Sequence, residues 1–90
     1  MREDEIFLLL GISVLGWESD APVKISLREL GRRIGIHPKR TVYLATKWTK
    51  KGWWEWGVSV DMGWLTQPGY DKVQELIASG WKVTMETEPR

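Results

Sequence analysis

The sequence predicts an α+β domain, with a three-helix core, a two-stranded antiparallel hairpin and a C-terminal helix after it. Three observations carry that prediction. Apolar residues recur at helical spacing in four stretches, each closed by a glycine: Gly16, Gly35, Gly52 and Gly80. Two aromatic-rich runs, Trp53-Trp54-Glu55-Trp56 and Met62-Gly63-Trp64-Leu65, flank a short connection from Gly57 to Asp61. Helix-start residues head three of the stretches, at Ser26, His37-Pro38 and Thr66. Ninety residues, 42% hydrophobic and 28% charged, suffice for one core and leave little room for a second, so residues 1–90 read as a single domain.

An N-terminal helix is expected within residues 1–17. Glu3, Asp4 and Glu5 fill its first turn, where acids complement the positive end of the helix dipole. Ile6, Leu9, Leu10, Val14 and Trp17 form one apolar stripe, and Phe7, Leu8, Ile12 and Leu15 a second. A helix apolar on almost every side is either central to the core or partly covered by another subunit. A polar turn from Glu18 to Pro22 then leads to a short extended piece, Val23-Lys24-Ile25.

Residues 26–52 read as two helices joined by a turn. Ser26 with Glu29 three residues later makes a capping box, and the helix it opens places Leu27, Leu30 and Ile34 on one side with Arg28, Arg32 and Arg33 elsewhere. Pro38 suits the first position of the next helix, since the amide it lacks would be orphaned there. Thr41, Leu44, Ala45 and Trp48 follow an i, i+3, i+4, i+7 pattern and face inward. The complementary face carries Lys39, Arg40, Tyr43, Thr46, Lys47 and Lys50, and Gly52 ends the helix behind Lys50 and Lys51. Residues 53–66 form the hairpin. Residues 67–80 form the last helix, with Tyr70, Val73, Leu76 and Ile77 inward, and residues 81–90 a short strand or tail.

Composition excludes several function classes. Without cysteine there is no disulfide framework and no thiolate zinc site, and the lone histidine, His37, cannot hold a metal by itself. No metal or cofactor is expected. The apolar run from Ile6 to Trp17 is too short to cross a bilayer, and its leader is acidic where a secretory leader is basic, so a cytoplasmic chain starting at Met1 is expected, with no membrane partner. No nucleophile with a base, paired carboxylate site or phosphate-cradling glycine loop can be assembled, so no catalytic residue is assigned and an enzyme is not expected.

Charge is the most informative remaining feature. The stretch from Lys24 to Lys51 holds nine of the thirteen Lys and Arg residues and one acid, Glu29: nine less one, or +8. The flanks hold four bases and eleven acids, or −7, so the net +1 conceals a dipole. A surface with that much unpaired positive charge repels itself, and its natural partner is a polyanion. The plainer reading, a solvated face, would normally mix signs to gain i, i+4 pairs.

The order helix, extended piece, helix, turn, helix, hairpin, helix resembles the winged helix-turn-helix proteins, especially small transcriptional regulators of the MarR and PadR type. Three pieces carry the resemblance: Ser26 to Ile36 as second helix and turn; the step from Gly35 to Gly52 ending in Thr49-Lys50-Lys51-Gly52-Trp53; and Leu65-Thr66-Gln67-Pro68-Gly69 as the step from wing to last helix. Two residues depart from it within the helix pair. Thr41 stands where the family usually has an aliphatic residue and Gly31 where it has alanine, while the loop Gly57-Val58-Ser59-Val60-Asp61 lacks the cation many wings carry.

By position, the resemblance implies that Lys39, Arg40, Tyr43, Thr46 and Lys47 project toward base edges of double-stranded DNA, that Val42 meets a thymine methyl, and that His37 lies near a phosphate. Arg28, Arg32, Arg33, Lys50 and Lys51 would supply phosphate contacts. It implies transcription regulation, and the doubly apolar first helix points to a homodimer built on that helix, with the last helix as a further contact. Two other readings stand beside it: a protein-interaction module using the Trp-rich hairpin and the first helix, and single-strand binding by stacking on exposed Trp54, Trp56 or Trp64.

Overall fold

A computed structural model describes residues 1–18, 21–22 and 25–82. The elements are α1 (Glu3–Gly16), β1 (Trp17–Glu18), β2 (Ala21–Pro22), β3 (Ile25–Ser26), α2 (Leu27–Arg33), α3 (Pro38–Lys51), β4 (Trp54–Trp56), β5 (Met62–Leu65) and α4 (Gln67–Ala78). The described residues form an α+β arrangement with four helices and an antiparallel hairpin, an order compatible with a winged-helix layout. The expected extended residues Val23 and Lys24, the end of the tail from residue 83, and the side chains of Leu15 and Trp17 lie outside the described residues. The stretch expected to be a polar turn carries a two-residue ladder, Trp17 opposite Pro22 and Glu18 opposite Ala21.

An apolar surface on all sides places α1 at the centre. Leu8, Leu9, Leu10 and Ile12 are fully buried, and α2, α4, β3 and β5 pack around the helix. Apart from Val14, the described side chains of its double stripe are therefore buried or half-buried within its own chain. Val14, in the first of the two apolar stripes, is exposed, while Phe7 meets Trp81 edge-on with ring centroids 5.9 Å apart.

The helix pair α2–α3 is set by its caps. The Ser26 hydroxyl accepts the Glu29 amide at 3.2 Å, as the capping box requires, and His37 Nδ1 accepts the Lys39 amide at 3.0 Å with Pro38 behind it. Gly52 stops α3 in the left-handed region, φ +81°, which lets the Trp53 amide turn back to the Trp48 carbonyl. Thr41, Leu44, Ala45 and Trp48 are all fully buried, as their spacing predicts.

The two departures from the family pattern turn out to be partners. A Cβ on Gly31 would fall 2.5 Å from Thr41 Oγ1, so a side chain here would have to displace the Thr41 hydroxyl packed between α2 and α3.

The sheet has the order β3-β5-β4, one strand more than expected. Ile25 lies opposite Gly63 and Ser26 opposite Met62, while Trp54, Glu55 and Trp56 face Leu65, Trp64 and Gly63. Trp54 is buried, stacked edge-on against Trp48 with centroids 6.3 Å apart, and its indole donates to the Val60 carbonyl at 2.8 Å. In α4, capped by Thr66, Val73 and Leu76 are buried, but Ile77 is exposed, against expectation. The helix meets the core along the narrow stripe of Gly69, Val73 and Leu76, and Ile77 lies about 40° beyond its Val73 edge.

Candidate nucleic-acid interface

Burying Thr41, Leu44, Ala45 and Trp48 fixes the rotation of α3, and the 3.6-residue period then decides what every other side chain meets. Lys39, Tyr43, Thr46 and Lys50 are exposed on the side directly opposite the core. Lys39 and Lys50 have no ion-pair partner among the described residues, and the same holds for the exposed Arg32 and Arg33 of α2. The Thr46 hydroxyl donates to the Val42 carbonyl at 2.9 Å, so its free lone pairs can only accept. Tyr43, Thr46, Lys47, Lys50 and Lys51 line an open groove of about 310 Å³.

The flank of α3 facing α1 is different, and here the expectation of a bare cationic face needs correcting. Arg40 makes a two-pronged contact with Asp4, Nε to Oδ2 at 2.9 Å and one terminal nitrogen to Oδ1 at 3.0 Å. Its guanidinium also stands 5.5 Å from the centre of the Tyr43 ring. Lys47 Nζ lies 3.1 Å from Glu5 Oε1, and the buried Trp48 indole donates to Glu5 Oε2 at 2.8 Å. Glu5 is only 1% exposed, so these two donors replace the water its carboxylate loses. The hydrogen bonds from Arg40, more than any other influence, hold the Asp4 carboxyl below its ordinary range, and Asp4 in return raises Arg40. Asp4 and Glu5 thus shape this flank of the candidate site, whereas sequence reasoning placed them only against the helix dipole. The available signal was the charge segregation: acids and bases that far apart in sequence are free to meet in space.

The remaining expected residues divide between free and engaged. Arg28 is half exposed and lies 3.4 Å from Asp61, a carboxylate that also accepts the Ser59 hydroxyl. Lys51 stands 5.3 Å over the Trp53 ring, with Lys72 at 5.7 Å from the same ring. His37 spends Nδ1 on its cap, which leaves Nε2 as the nitrogen able to donate. Val42 is partly exposed and lines a second groove with Arg28, Pro38 and Lys39.

The tryptophans of the hairpin also divide. Trp54 is closed off in the core and has no face to offer a base. Trp64 is half-buried, with its indole turned to Glu55 at 3.3 Å. Trp56 is 39% exposed and donates to the Thr49 hydroxyl at 3.2 Å, bracing the hairpin against α3, while Val58 at the loop is 94% exposed. Among the described residues no group of three or more His, Asp or Glu side chains is placed to hold a metal, and no helix is long and apolar enough to cross a membrane. Comparison of the chain with protein-family models, with curated proteins and with solved structures finds no match.

Proposed function

We propose that the chain is a winged helix-turn-helix domain that binds double-stranded DNA, laying α3 in the major groove as a small cytoplasmic transcriptional regulator. The observation that supports this most is the bare outer side of α3. Lys39, Tyr43, Thr46 and Lys50 stand together on a rigid helix, beside Arg32 and Arg33, with no acid of the described residues paired to any of the four cations. In this reading Lys39, Tyr43 and Thr46 face base edges, Val42 offers its methyls to thymine, and Arg32, Arg33, Lys50 and Lys51 bind phosphate. Arg28 and His37 lie at the margin of the same surface. A homodimer would place two such helices on half-sites one turn of DNA apart, with Val14 and Ile77 the large apolar residues still exposed on α1 and α4 among the described residues.

The test is fluorescence anisotropy against random-sequence duplex at two salt concentrations. The double variant Lys39→Glu with Lys50→Glu is expected to weaken binding by about two orders of magnitude at low salt and to flatten the salt slope by about two. Duplex ignored by the native chain at low salt removes the reading. The second reading, a protein-interaction module, is favoured by one observation: the exposed Val58 and Trp56 on a hairpin with no Lys or Arg in its loop. Under that reading the same double variant keeps its partner, and Val58→Asp loses it.

A further inference from the structure

Carboxylate and phosphate present arginine with the same chemistry, two oxygens spaced to meet two parallel N–H groups. The Asp4 carboxylate occupies that edge of Arg40, and Glu5 occupies the ammonium of Lys47. Both acids lie in the first turn of α1, where the helix dipole favours negative charge. Both cations nevertheless stay at the margin of the proposed interface: the Arg40 side chain is 23% exposed and that of Lys47 34%, and Lys47 lines the groove that Tyr43 and Lys50 share.

We propose that Asp4 and Glu5 are positioning residues that act as an internal stand-in for DNA phosphate, holding Arg40 and Lys47 out of the contacting set until a phosphate displaces them. The inference rests on the duplex-binding reading above and deepens it. The acids divide the cations of α3 into two kinds. Lys39 and Lys50 meet DNA at no internal cost, whereas Arg40 and Lys47 must first exchange one anion for another. In such an exchange the counterion released by the phosphate is offset by the carboxylate left unpaired beside the DNA, so the contact adds little to affinity. The arrangement caps non-specific attraction to DNA, because part of the positive charge that draws the chain to any duplex is already neutralised.

Asp4→Asn removes the charge but keeps the shape, at a side chain already 30% exposed. Binding of the native chain and this variant to one random-sequence duplex is measured between 50 and 200 mM salt. The variant is expected to bind more tightly at low salt and to steepen the salt slope by about one, so that its advantage shrinks about threefold over that range. Arg40→Gln in the variant background returns the slope to that of the native chain, a reversal that a merely structural role for Asp4 does not produce. Glu5→Gln, which keeps an acceptor for Trp48, repeats the test for Lys47 should the first variant fold poorly.

A folded Asp4→Asn chain with unchanged slope and affinity overturns the inference and leaves the duplex-binding reading standing. A native chain that ignores duplex at 50 mM salt overturns both.

Discussion

The outer side of α3 and its flank toward α1 carry similar residues in opposite circumstances. Lys39 and Lys50 point into solvent unpaired among the described residues, whereas Arg40 and Lys47, on the same helix, are each met by a carboxylate from the first turn of α1. A cation's availability is therefore set by its angle around the helix and by what the neighbouring element presents at that angle. Counting charge along the sequence overstates the free positive surface.

Stability separates the two sides most sharply at Glu5. Replacing it by alanine leaves the buried Trp48 indole without an acceptor and frees Lys47, and is expected to cost about 3 kcal/mol, read as a lower urea midpoint. The Lys39→Glu, Lys50→Glu chain, altered only on the bare side, keeps nearly the native midpoint. Equal midpoints in both chains would mean that the buried carboxylate is not held as described.

A smaller effect probes the core side of the same helix. Gly31→Ala forces its methyl against Thr41, whose branched side chain is itself held by a 3.3 Å bond to the His37 carbonyl. The expected loss is about 1–2 kcal/mol after the gain in helix propensity is set against overpacking. Adding Thr41→Ala should recover part of it. Additive losses would show that the two residues do not share the contact.

The smallest effect is the pH dependence of the clasped flank. Asp4 titrates below its ordinary range in the folded chain, so the stability it contributes is present above the unfolded aspartate value and is lost as pH falls through the lower folded value. Urea midpoints followed down through that acid window should fall less steeply for Asp4→Asn than for the native chain.

Much of this frame is legible in the sequence where the signal is local. The caps at Ser26, His37 and Thr66 and the stop at Gly52 depend on residues within a few positions of each other, and the inward stripe of α3 follows from its period. What escapes is directional or distant. A helix apolar all round gives no angle, so the exposure of Val14 is invisible from its spacing. On α4, Ile77 satisfies a helical pattern, yet the face that the core covers is narrower than the pattern. Within the candidate site, the bare residues Lys39, Tyr43, Thr46 and Lys50 follow from the helix period, but the partners of Arg40 and Lys47 stand 36 and 42 positions away. Only the docking of α1 brings them in.

The central strand β5 has a mechanical consequence. It pairs with β4 on one edge and with β3 on the other, so Ser26, the cap of α2, is laced to the hairpin through Met62. The Leu27 amide donating to the Asp61 carbonyl at 2.8 Å and the Arg28 ion pair fasten the same joint twice more. The arm that ends at Val58 is thus tied to the start of α2 by backbone pairing, an amide bond and an ion pair, so any displacement of one must break or carry along all three.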